Sequence, residues 1–75
     1  MEERIKNALK KALEIENMEI QLDDQFRDYE DWDSLALLSL IAILDEDFGV
    51  EIETDALNEL ITVRDLLNSV QKRMQ

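Results

Sequence analysis

A serine hydroxyl becomes a strong nucleophile only when a neighbouring group takes its proton, and in many hydrolases that group is histidine. This chain of 75 residues holds Ser34 in the run Asp33-Ser34-Leu35, yet it has no histidine and no cysteine. Ser34 therefore cannot be the nucleophile of a conventional triad. The same absences remove the commonest metal ligand, any thiolate metal site and any disulfide framework. Carboxylates remain. Asp31 and Asp33 could in principle do acid–base work, but a chain this short buries only about 60% of its unfolded surface and has little core for a cleft that would raise one pKa. Asp45, Asp47 and Gly49 suggest a calcium loop, which requires glycine at its sixth position and an acid at its twelfth. Counting from Asp45, glycine is fifth and the twelfth residue is Ala56, so the match fails.

The element that must hold Ser34 is the strongest helix in the sequence, predicted over 34–48. Asp33 supplies an N-cap carboxylate, and Gly49 supplies a left-handed stop. Trp32 is placed to pack on Leu37 as a hydrophobic staple. At 100° per residue, Leu37, Leu40, Ile41, Leu44 and Phe48 share one stripe, the expected core face. Leu35, Leu38 and Ala42 fall on what should be the wet side, rimmed by Asp33, Asp45 and Glu46. An apolar patch with a charged rim beside a helix-terminal serine has the form of a docking surface.

Three further helices complete the reading. Ile5, Ala8, Leu9, Ala12 and Leu13 give an amphipathic helix over 2–15. Periodicity then fails from Asn17 to Asp33, a long acidic loop anchored by Met18, Ile20, Leu22, Phe26 and Tyr29, with room for a short helical turn. A short helix capped by Thr54 or Asp55 ends near Leu60. Thr62 and Asp65 form a capping-box pattern that opens a last helix with Val63, Leu66, Leu67, Val70 and Met74 on one face. The expected fold is all-α: three longer helices and one short one around a single core, in one domain spanning 1–75.

Charge narrows the partners. Residues 14–59 contain sixteen acids and a single base, Arg27, within a chain of net charge -11. Such a surface repels nucleic-acid phosphates and anionic lipid head groups, and it favours partners with basic patches. The apolar run Leu35–Leu44 is half the length needed to span a bilayer, and Met1-Glu2-Glu3-Arg4 lacks the design of a signal peptide. The expectation is a cytoplasmic monomer without membrane insertion.

Asp33-Ser34-Leu35, followed by a helix ending Asp45-Glu46-Asp47-Phe48-Gly49-Val50-Glu51-Ile52, resembles the acyl carrier proteins and the related peptidyl carrier domains. The resemblance implies an acyl-carrier-like four-helix bundle. It implies that Ser34 receives 4′-phosphopantetheine from coenzyme A through a magnesium-dependent phosphopantetheinyl transferase. It also implies a non-enzyme that presents an acyl or aminoacyl thioester to loading and processing enzymes of fatty-acid, polyketide or related biosynthesis. Asp33, Leu35, Leu38, Ala42, Asp45 and Glu46 are then the expected partner-binding residues. The run Tyr29-Glu30-Asp31-Trp32-Asp33 stands where the family often has a glycine, and Ala36 and Ser39 stand where fatty-acid carriers are usually acidic. The Trp-Asp-Ser-Leu form looks more like stand-alone carriers of specialised pathways. The other readings are an aminoacyl or peptidyl carrier and an unmodified acidic interaction domain.

Overall fold

The computed structural model describes residues 1–74. Its elements are α1 (Glu2–Leu13), a single 3₁₀ turn (Phe26–Asp28), α2 (Ser34–Phe48), α3 (Thr54–Asn58) and α4 (Val63–Arg73). Among the described residues there is no strand, and the one β-type pairing is an isolated antiparallel bridge between Gln25 and Thr62.

In α1, Ile5, Ala8, Leu9, Ala12 and Leu13 are all buried, while Glu2 and Glu3 open the helix and Lys10 and Lys11 close it, matching the helix dipole at both ends. The helix stops two residues short of the expected 2–15. Glu14 adopts the left-handed conformation (φ 59°, ψ 38°), donating its N–H to the Lys10 and Lys11 carbonyls. The Ile15 N–H also reaches the Lys10 carbonyl at 3.0 Å. A residue with a Cβ costs at least about 1 kcal/mol in this conformation, and no glycine announces the stop.

In α2 the buried positions are Ala36, Leu40, Leu44 and Phe48. Leu37 and Ile41, expected on the core face, are half-buried instead. The buried stripe is turned by about 40° from the predicted one, a rotation of less than half a residue step. Ala36 lines a groove together with Ala12 and Leu13 at the end of α1.

The α3 cap differs from expectation. Glu53 occupies the N-cap and makes no side-chain bond, and the helix ends at Asn58 rather than near Leu60. Its far end is held from the loop, where Arg27 Nη1 donates to the Asn58 carbonyl at 2.7 Å. The capping box of α4 is present as predicted. The Asp65 N–H donates to Thr62 Oγ1 at 3.1 Å, and Asp65 Oδ2 accepts from the Thr62 N–H at 3.1 Å and the Ile61 N–H at 3.2 Å. Val63, Leu66 and Val70 are buried and Leu67 half-buried, but Met74 lies just past the helix and is exposed, so it does not extend that face.

The long first loop is pinned to the start of α4. The Val63 and Arg64 N–H groups, two of the donors that a helix N-terminus leaves free, bind the Asp24 and Leu22 carbonyls at 2.9 and 2.8 Å. Asp24 also gathers the loop, since its Oδ2 accepts from Tyr29 OH at 2.8 Å and from the Gln21 N–H at 2.9 Å. Burial and that carboxylate push the Tyr29 phenol far above its ordinary pKa. Ile20 and Phe26 are buried in the same cluster as the helix cores, with Met18, Leu22 and Tyr29 packed against it.

Loss of the α4 cap in Thr62→Ala should cost about 1 kcal/mol of stability, read as a lower melting temperature. The Thr62 and Ile61 N–H groups hold the Asp65 carboxyl below its ordinary value of 3.8. A depressed folded pKa gives stability that is present above the unfolded value and lost as pH falls through the folded one. Asp65→Asn should therefore lower the melting temperature at pH 7 and make progressively less difference below about pH 4; an equal effect at pH 7 and pH 2.5 would exclude the carboxylate as its source.

Candidate functional site

Ser34 is the first residue of α2 and is exposed. The two other serines, Ser39 and Ser69, are half-buried. The N-cap before it is Asp33, with extended backbone and a carboxylate that accepts from the Ala36 N–H at 2.8 Å. One of the free donors of the first turn is thereby satisfied, and the rest of that turn presents its N–H groups and positive dipole end where Ser34 meets solvent. That environment suits an anion joined to the Ser34 oxygen.

Trp32 was expected to staple onto Leu37. Its aromatic partner is Phe26, with ring centroids 5.2 Å apart at 75° in an edge-to-face contact. The Trp32 N–H closes a turn onto the Tyr29 carbonyl at 3.0 Å. The link joins residues six apart across an irregular loop, so no helical spacing could reveal it.

The predicted docking residues come together on one face. Leu35 and Leu38 are 71% and 59% exposed, values that separate them from the core leucines of the same helix, which are at 0%. Ala42 is exposed beside them, and Asp33, Asp45 and Glu46 are exposed around them. The face is not one that burial against the rest of the bundle explains. A shallow groove on its flank is lined by Ile41, Ala42, Asp45, Glu51, Ile52 and Glu53. A second groove runs beside Ser34, lined by Glu14, Asp31, Asp33, Leu35 and Ser39 over a floor of Ala12, Leu13 and Ala36.

The last turn of α2 carries Asp45, Glu46 and Asp47 and no base, an arrangement opposed by the helix dipole. α1 supplies the missing cations. Lys11 Nζ lies 3.0 Å from Asp47 Oδ2, Arg4 Nη2 donates to the Asp47 carbonyl at 2.9 Å, and the Arg4 guanidinium stacks 4.4 Å from the Phe48 ring centroid. Asp47 is thus engaged within the fold. Among the described residues Asp45 and Glu46 have no ion-pair partner, which separates three adjacent acids into one structural residue and two that face outward. The sequence reading missed Arg4 and Lys11 because the residues they hold lie 43 and 36 positions away.

Comparison with known proteins places this geometry. The family profile described as "Phosphopantetheine attachment site" matches residues 3–70. The chain belongs to the acyl carrier protein family. It is 32% identical over 72 residues to an acyl carrier protein of Petrotoga mobilis, covering 96% of this chain and 85% of that one. The acyl carrier protein of Treponema denticola is also 32% identical over 72 residues, with 96% and 92% covered. That of Nitratidesulfovibrio vulgaris is 30% identical over 73 residues, with 97% and 96% covered. In fold, the chain superposes on the solution NMR structure of a holo acyl carrier protein from Geobacter metallireducens with a TM-score of 0.82 at 20% identity, covering 97% of this chain and 84% of that one. The carrier's prosthetic group is covalent 4′-phosphopantetheine. Membership implies a phosphopantetheinyl transferase and acyl-processing enzymes as partners. No helix among the described residues is long and apolar enough to cross a membrane.

Arg4→Ala should lower the unfolding free energy by roughly 1 kcal/mol, because it removes both a stacked cation and a donor to a helix-terminal carbonyl. Arg4→Lys should recover only part of this, since an ammonium lacks the planar stack. Lys11→Ala, which breaks an exposed pair, should cost less than about 0.5 kcal/mol. Urea unfolding measures all three, and equal losses for Arg4→Ala and Lys11→Ala would contradict the ranking.

Proposed function

We propose that Ser34 is the attachment residue and that this chain is one carrier domain, itself without catalytic activity, which presents acyl thioesters to enzymes docking on α2. The observation that supports the assignment is exposure combined with position. Of three serines only Ser34 is exposed, and it begins the first turn of the helix that bears the apolar face.

In the loading step the Ser34 Oγ forms a bond to the pantetheine-side phosphorus of coenzyme A, the phosphoanhydride bond breaks, and adenosine 3′,5′-bisphosphate leaves. The Ser34 proton passes to a base of the transferase, which a chain without histidine must borrow. The bound group supplies the thiol on which cargo is carried, a role for which this cysteine-free chain has no side chain. The chain's own residues do the rest. Asp33 fixes the start of α2, the first-turn N–H groups favour the phosphodiester's negative charge, and Leu35, Leu38 and Ala42 offer apolar contact. Asp45 and Glu46 meet basic residues on the partner and speed encounter. The partners are a phosphopantetheinyl transferase and acyl-loading and acyl-processing enzymes with basic docking patches. The carrier works as a cytoplasmic monomer, apart from nucleic acid and membranes.

Intact mass after incubation with coenzyme A and a broad-specificity phosphopantetheinyl transferase tests the assignment. Wild type should gain one phosphopantetheinyl group and Ser34→Ala none; a gain retained in Ser34→Ala would move the site elsewhere. The docking face is tested with Asp45→Lys/Glu46→Lys. The double variant should associate more slowly with a partner enzyme at low salt and show a flatter dependence of rate on ionic strength. Identical rates and salt slopes would remove both residues from the interface.

A further inference from the structure

Between Tyr29 and Ser34 a single side chain fastens the chain to the core. Glu30, Asp31 and Asp33 are exposed acids that repel one another, whereas Trp32 is half-buried and sets its ring edge-on against the fully buried Phe26. Behind Trp32 the loop is well tied. The Trp32 N–H binds the Tyr29 carbonyl, Tyr29 OH binds Asp24, and the Asp24 carbonyl accepts from Val63 at the head of α4. Ahead of Trp32 come only the cap residue Asp33 and Ser34 itself. Trp32 is therefore the last point at which the loop is anchored before the serine.

We infer that Trp32 is a positioning residue for arm transfer: its contact with Phe26 holds residues 29–33 so that Ser34 meets the transferase on an already formed first turn of α2. The inference rests on the reading of Ser34 as the attachment residue. Without the ring, mutual repulsion of Glu30, Asp31 and Asp33 opens the segment, and only a fraction of molecules presents Ser34 correctly. Apparent affinity for the transferase then falls in proportion to that fraction, while the chemical step after binding is unchanged.

Steady-state transfer from coenzyme A by a broad-specificity transferase reads this out. Trp32→Ala should raise KM for the carrier by roughly two- to tenfold and leave kcat within about twofold, the range open to losing one aromatic pair that sets a population. Trp32→Phe, which restores a ring against Phe26, should return KM to near the wild-type value. Val70→Ala, a core change in α4 that lowers thermal stability, should leave KM unchanged at a temperature where it is fully folded. If Trp32→Ala does not fold, Trp32→Leu carries the same test, with a smaller rise in KM. A wild-type KM in the folded Trp32 variant, or an equal rise in Val70→Ala, overturns the inference. Ser34→Ala run alongside keeps the two readings apart. Modification surviving in Ser34→Ala overturns the attachment site whatever Trp32 does, whereas its loss there with unchanged Trp32 kinetics overturns the positioning role alone.

Discussion

Ala36, Leu40, Leu44 and Phe48 recur at every fourth position of α2, and their burial sets the rotation of a helix that is apolar on nearly every side. Ser34, Leu35, Leu38, Ala42, Asp45 and Glu46 are exposed because those four are not. A rotation of one residue step, about 100°, would carry the outward leucines toward the bundle and turn core leucines to water. Burial of a leucine contributes roughly 1.5–3 kcal/mol, so two such exchanges are comparable with much of the stability of a small domain. Exposure of Ser34 is thus a by-product of core packing, with no dedicated contact to its side chain required.

Charge works on a second level. The acids of residues 14–59 oppose compaction, and the few bases are spent where the opposition is worst. Arg4 and Lys11 reach the end of α2, where acids and helix dipole act together, and Arg27 reaches the last carbonyl of α3. Bases used in this way neutralise little of the exposed face of α2. The long-range field seen by a partner stays strongly negative around Leu35 and Leu38, while the backbone termini that would suffer most from it are satisfied internally.

The parts of this fold that could be read from sequence are those whose cause lies within four residues. Asp33 and Gly49 bound α2 by capping chemistry, and Thr62 with Asp65 opens α4 for the same reason. Leu35, Leu38 and Ala42 stood out as apolar residues on the wrong side of a helix, and they are exposed. What escaped depends on contacts across the chain or on conformations that composition does not disclose. Glu14 takes a glycine-like conformation, Glu53 begins α3 without a side-chain cap, and Trp32 pairs edge-to-face with Phe26. The core stripe of α2 includes Ala36, which a stripe drawn through Leu37, Leu40, Ile41, Leu44 and Phe48 leaves out.

The first loop is joined to α4 through the carbonyls of Leu22 and Asp24, and peptide carbonyls are the same in every residue. Those two bonds are indifferent to which side chains the loop displays. With Ile20 and Phe26 anchoring it inside, exposed positions such as Glu16, Asn17 and Asp28 are free to change without moving the path of the backbone. The loop is a region where one carrier can diverge from another, changing what it shows to the cell while the serine and its helix stay in place.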